Sequence, residues 1–146
     1  MLSCAKMGID ITIACPRGYE PQKSVIRMAT RECKRNCSTL EIVNNPLEGV
    51  NGADVIYTDV WISMGKECEY RERVKAFKNF QVNKNILRLA KKDAIVMHCL
   101  PAMRGLEITN DVIDGKHSVV YEQAENRLHL QKALILFLLN QYKDLL

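Results

Sequence analysis

Three short runs in this sequence set reactive or charged side chains beside residues that bend or end a chain. They are Thr58-Asp59-Val60-Trp61-Ile62-Ser63-Met64-Gly65, Met97-His98-Cys99-Leu100-Pro101 and Tyr121-Glu122-Gln123-Ala124-Glu125-Asn126-Arg127. In the first, Asp59 offers a carboxylate to an ammonium group, Ser63 a hydroxyl beside it, and Gly65 a hinge for a loop that closes over a ligand. An amino acid fits such a set. The bland alternative makes Asp59 a loop cap and Ser63 and Gly65 turn residues. In the second run, His98 and Cys99 look like a nucleophilic pair, but neighbours on an extended strand point to opposite faces and cannot form a dyad. Pro101 ends the ladder, so Cys99 and Leu100 are expected to project from the sheet edge; a buried structural thiol is the alternative for Cys99. In the third run the acidic residues suit a helix N-terminus, whereas Arg127 in a first turn opposes the helix dipole. Either a functional role or an ion pair with Glu122 or Asp59 would account for it.

The scaffold that positions these runs is legible in the alternation of β-branched runs with helical patterns, the rhythm of βα units around a parallel sheet. Strands are expected at about Asp10–Cys15, Leu40–Asn44, Val55–Asp59 and Ala94–His98. The first two chemical runs leave the carboxyl ends of the third and fourth strands, where open parallel sheets bind ligands. Helices are expected from Pro21 to Asn36 with Pro21 in the first turn, near Leu47–Asn51, from Glu67 to Phe77, over Lys84–Leu89 capped by Asn83, and over Asn110–Asp114 capped by Thr109. The last helix, Ala124 to Tyr142, is apolar nearly all round at its end, which must pack on something. Leu2 to Met7 reads as the final turns of a helix stopped by Gly8, so the chain is expected to open inside a βα unit whose strand is missing.

Composition excludes several classes of function. At 146 residues one domain is expected, and 47% apolar with 26% charged residues is ordinary for a globular chain. The formal charge of +4 is mild and its Lys and Arg are scattered, so no nucleic-acid site is expected. The apolar run Ala133 to Leu139 is far too short to span a bilayer and no signal peptide is evident, so no membrane contact and a cytoplasmic location are expected. The six cysteines (Cys4, Cys15, Cys33, Cys37, Cys68, Cys99) are expected as reduced thiols. Cys33 and Cys37 have no second pair at zinc spacing, so no metal is expected.

The three runs, in this order and spacing, resemble the signatures of the carboxyl-terminal domain of ornithine carbamoyltransferases, within the aspartate/ornithine carbamoyltransferase family. Cys4-Ala5-Lys6-Met7-Gly8 and Pro16-Arg17-Gly18-Tyr19-Glu20-Pro21 resemble that domain's first helix and strand, so the similarity covers essentially the whole chain. His-Cys-Leu-Pro separates the ornithine-type enzymes from the aspartate type, and Ser-Met-Gly favours ornithine over putrescine.

The resemblance implies an α/β fold, a Rossmann-like parallel sheet flanked by helices, lacking its first, central strand between Asp10–Cys15 and Val55–Asp59. Residues 1–146 would be the ornithine-binding domain, truncated at its start. The carbamoyl-phosphate domain, with its Ser-Thr-Arg-Thr phosphate loop, would precede Met1 and is absent, as is the Asn that would bind the amino acid's carboxylate. Asp59 and Ser63 would hold the α-amino end of ornithine, with Met64 contributing its backbone. Cys99 and Leu100 would lie at the reacting δ-amine, and Arg127 would polarise the carbamoyl oxygen, making Cys99 and Arg127 the catalytic pair. The implied reaction converts carbamoyl phosphate and ornithine to citrulline and phosphate in arginine metabolism, without a cofactor. Ornithine is then the partner of this chain, carbamoyl phosphate only with the missing domain, and the family's trimer is not carried over. Two other readings stay open: a non-catalytic amino-acid-binding module, and a decayed, truncated fragment. By itself the chain is expected to be inactive.

Overall fold

The computed structural model describes residues 1–139. The chain opens with α1 (Leu2–Met7), closed by Gly8, whose φ of 71° lets its N–H reach the carbonyls of Ala5 and Cys4. A Cβ at Gly8 would stand 2.9 Å from the Asn36 carbonyl oxygen, so both backbone and space require glycine there. There follow β1 (Ile11–Ala14), α2 (Lys23–Arg35), β2 (Leu40–Val43), α3 (Pro46–Val50) and β3 (Val55–Thr58). A 3-10 turn at Glu67–Glu69 leads into α4 (Tyr70–Phe77), then α5 (Lys84–Leu87), β4 (Ile95–His98), α6 (Asn110–Ile113) and α7 (Val120–Leu138).

All four expected strands form, each trimmed by a residue or two at its ends, and they lie in two parallel pairs. Ile11 stands opposite Leu40 in β1–β2, and Val55 opposite Ile95 in β3–β4. No ladder joins the pairs among the described residues, so the parallel sheet is interrupted between β1 and β3, where the family resemblance implies a gap. Hydrogen-bond alternation shows what the interruption leaves open. Ile11 and Cys15 donate to Thr39 and Val43, which turns the N–H and C=O of Thr12 and Ala14 away from β2. Ile95 donates to Asp54, which likewise turns those of Val55 and Tyr57 away from β4. These four residues line a shared groove. The other edge of β4 is covered, because Val96 donates to His117 and accepts from Val119.

Several helix boundaries differ from expectation. Gln22 is extended, with ψ 134°, so α2 starts at Lys23 and Pro21 stands before the cap rather than in the first turn. Cys37 therefore lies beyond α2, at a left-handed φ of 55°. Asn83 caps α5 by accepting from the N–H groups of Asn85 and Ile86, whereas the Thr109 hydroxyl caps nothing in α6. The expected helix from Glu67 begins as a 3-10 turn. The last helix begins at Val120, four residues before the expected Ala124, because Val120 is fully buried and Val119 is tied to β4. Its expected end at Tyr142 lies outside the described residues.

Burial is divided as the sheet is. One cluster joins Val96, Ile108, Val112, Ile113 and Val120 around β3–β4, and a smaller one joins Ala5, Ala29 and Cys33 between α1 and α2. All six cysteines are free thiols. No described helix is long and apolar enough to cross a membrane.

Gly49 sits where α3 crosses β1 and β2; an added Cβ would meet Ala14 Cβ at 2.9 Å and Val43 Cγ2 at 3.1 Å. Alanine is the better helix former by about 1 kcal/mol, but the clash is with atoms fixed to two strands and outweighs that gain. Gly49→Ala is therefore expected to lower stability by roughly 1–2 kcal/mol net, read as a lower urea midpoint at unchanged slope.

Candidate functional site

The carboxyl ends of β3 and β4 lie side by side and deliver the site's first contact. Asp59 follows β3, Cys99 follows β4, and Cys99 Sγ donates to Asp59 Oδ1 at 3.0 Å. The same oxygen accepts the Val60 N–H at 2.7 Å, which fixes the carboxylate while the residue stays exposed. Burial pushes the Cys99 thiol pKa up, and the bond to Asp59 and its charge push it further. Burial also raises Tyr57, whose hydroxyl accepts from Gln123 Nε2 at 3.1 Å. Gln123 Oε1 in turn accepts the His98 N–H at 3.0 Å, so one amide in the first turn of α7 ties that helix to both strands.

Asp59 and Ser63 open onto the groove between the strand pairs, a cleft of about 350 Å³ whose walls include Trp61, Arg73 and Phe77. The loop that carries Ser63 is anchored at its start. Trp61 is buried against Phe77 with ring centroids 6.0 Å apart, and Arg73 donates to the Trp61 carbonyl at 3.2 Å. The same guanidinium bonds Glu69 at 2.7 Å and lies over the Tyr19 ring at 5.4 Å. Beyond that anchor the loop projects: Met64 is 98% exposed.

The turn after β4 is held from beneath. Leu100 has a φ of 53°, a left-handed conformation that costs a residue with a Cβ about 1–3 kcal/mol and persists only where its surroundings impose it. Its N–H donates to His98 Nδ1 at 2.9 Å, so Nδ1 is the acceptor and the ring proton sits on Nε2. From there it donates to Glu107 Oε1 at 3.0 Å, an oxygen that also accepts the Met103 N–H at 2.6 Å. Both side chains are wholly buried.

Of the residues singled out from sequence, Asp59, Ser63, Cys99 and Leu100 gather at these two strand ends. Met64 extends into solvent, and no hydrogen bond or ion pair joins Arg127 to these residues. Arg127 is the eighth residue of α7, exposed, and does not oppose the helix dipole from a first turn. It pairs with neither Glu122 nor Asp59 and has no hydrogen-bond partner among the described residues. Tyr57, Gln123 and Glu107 were given no role by sequence reasoning. For Glu107 no signal was available, since Leu106-Glu107-Ile108 reads as an alternating segment with its charge outward.

A family model described as "Aspartate/ornithine carbamoyltransferase, Asp/Orn binding domain" matches residues 1–138. The chain belongs to that family. A family member from Methanosphaera stadtmanae, an ornithine carbamoyltransferase, is 53% identical over 135 residues, 92% of this chain and 45% of its own length. The solved ornithine carbamoyltransferase of Pyrococcus furiosus superposes with a TM-score of 0.86 at 52% identity, covering 90% of this chain and 42% of that one. The anabolic enzyme of Campylobacter jejuni superposes at 0.90 with 36% identity, over 95% and 46%. The chain thus spans under half the length of these relatives, and the family's domain fold is the one described above.

The geometry at Cys99 makes a prediction that requires no ligand. A raised thiol pKa leaves less thiolate at a given pH, so iodoacetamide should label Cys99 more slowly than a free cysteine, with its pH profile displaced upward. Asp59→Asn removes the charge and should move that profile down toward the ordinary thiol range. Mass-resolved labelling of the Cys99 peptide measures both, and identical profiles in the two proteins would contradict the contact.

Proposed function

We propose that this chain is the ornithine-binding half of an ornithine carbamoyltransferase, and that carbamoyl phosphate is held by a part outside these 146 residues. The observation that carries this reading is the Asp59 carboxylate, fixed at the end of β3, opening onto a cleft beside Ser63 and touching Cys99 at the end of β4. Asp59 and the Ser63 hydroxyl receive the α-ammonium of ornithine, with the Met64 backbone beside them. Cys99 and Leu100 face the δ-amine. In the transfer the neutral δ-amine attacks the carbamoyl carbon, a C–N bond forms, the C–O bond to phosphate breaks, and the nitrogen gives up a proton. Holding the reactants in line and stabilising charge on the carbamoyl oxygen are the main demands of that step. Arg127, permanently charged and unpaired among the described residues, suits the oxygen. On this reading the chain works among soluble metabolites in the cytoplasm.

The sequence contains no Ser-Thr-Arg-Thr run to receive the phosphate. The purified chain is therefore expected to form no citrulline from ornithine and carbamoyl phosphate, and a colorimetric citrulline assay above background would refute this division of labour.

Ornithine binding is tested by charge. Asp59→Asn keeps the side chain's shape and should weaken ornithine binding about tenfold or more, each decade corresponding to about 1.4 kcal/mol. Asp54→Asn is the control, because Asp54 lies just before the opposite end of β3, bonded to Lys91 Nζ at 2.7 Å. On this reading the Asn that meets the carboxylate lies outside these 146 residues, and the unmutated chain should bind no more tightly than about millimolar. Calorimetric titration that finds equal affinity in the two variants would remove Asp59 from the site.

A further inference from the structure

Glu107 is an acidic side chain with no exposure to solvent, and the reaction proposed above does not use it. It lies in the segment after the Cys99 turn, between the core residue Ile108 and the half-buried Leu106. Its Oε1 takes two hydrogen bonds that reach the two ends of one short turn: directly from the Met103 N–H, and from His98 Nε2. The imidazole passes the constraint on, since its Nδ1 accepts the Leu100 N–H. Leu100, in its left-handed conformation, is thus gripped at the amide that sets its direction, and Cys99 lies between two residues each held by hydrogen bonds. His98 is itself fixed from the other side by Gln123, which accepts its backbone N–H. Glu107 Oε2 is buried without a hydrogen-bond partner among the described residues, so the group is kept inside for the contacts of one oxygen only.

We propose that Glu107 is a positioning residue: through His98 and the Met103 amide it holds the turn after β4 in the shape that brings Cys99 against Asp59. Its effect on ornithine rests on the function proposed above; its effect on Cys99 does not. A carboxyl that merely filled the core would alter stability and leave the Cys99 contact alone. One that positions the turn governs the thiol.

The test uses the full chain and the pH profile of iodoacetamide labelling at Cys99, with Cys33, buried in the separate α1–α2 cluster, read in the same sample. Glu107→Ala removes both contacts and releases Cys99 from Asp59. Near neutral pH its labelling should rise severalfold relative to Cys33, because a thiol freed from the carboxylate forms more thiolate. Glu107→Gln keeps an oxygen where Oε1 stands and should restore the original profile.

If Glu107→Ala does not fold, the double variant His98→Leu/Glu107→Met decides by the same criterion, because apolar side chains can replace a buried polar pair and keep the core filled. It should label at Cys99 as the alanine variant would. An unchanged Cys99 profile in whichever of these variants folds, or an equal rise at Cys33, overturns the proposal. Ornithine titration of the same samples separates the two readings. A shifted Cys99 profile in a chain that binds no ornithine upholds the positioning role and sinks the ornithine reading. An unshifted profile sinks the positioning role however well ornithine binds.

Discussion

A parallel strand presents backbone donors and acceptors along both edges, and among the described residues β1 and β3 are each paired along one edge only. The groups that Thr12, Ala14, Val55 and Tyr57 turn into the groove are those a neighbouring strand would meet, and each costs roughly 1–3 kcal/mol where burial leaves it without a partner or water. Much else follows from this condition. The cleft exists because the two pairs stand apart, it is lined by backbone as well as side chains, and Asp59 and Ser63 reach it because the loop after β3 leaves from its rim. The opposite edge of β4 shows the satisfied case, closed by backbone bonds to His117 and Val119 and by the Gln123 amide.

The second organising element is polar and buried. Adjacent residues on a strand face opposite ways, and the end of β4 uses that alternation to separate two tasks. His98 turns inward to Glu107 and becomes scaffold; Cys99 turns toward Asp59 and becomes part of the surface that meets a ligand. A motif that reads as a pair of reactive groups is in the fold one reactive group and one support. The strain at Leu100 sits between them, where surrounding contacts over-determine the backbone.

How much of this was legible depended on whether local chemistry or tertiary contact decided each feature. The four strands, the Gly8 stop and the Asn83 cap could be read because β-branched runs, a left-handed position and a side-chain acceptor act within a few residues. The start of α7 could not, because it is set by burial of Val120 and the tie from Val119 to β4, contacts more than twenty residues away in sequence. That error misplaced Arg127 in a first turn. Glu107 was invisible for a related reason: a charge between two apolar residues implies solvent, and only the position of His98, nine residues earlier, makes burial tenable. Asp59 and Ser63 were found because a polar loop leaving a strand's carboxyl end carries its meaning in its own composition.

The division of the interior has a consequence for how the molecule breathes. Each strand pair is closed by its own crossover and buries its own cluster, and α3 is an element that touches both, packing on β1 and β2 on one side and on α5 on the other. Cooperativity across such a body is only as strong as its bridge. The α1–α2 unit, with the smaller cluster, can open while β3, β4 and the turn at Leu100 stay folded, so amide protons in the two regions will exchange as separate units with different opening energies rather than as one.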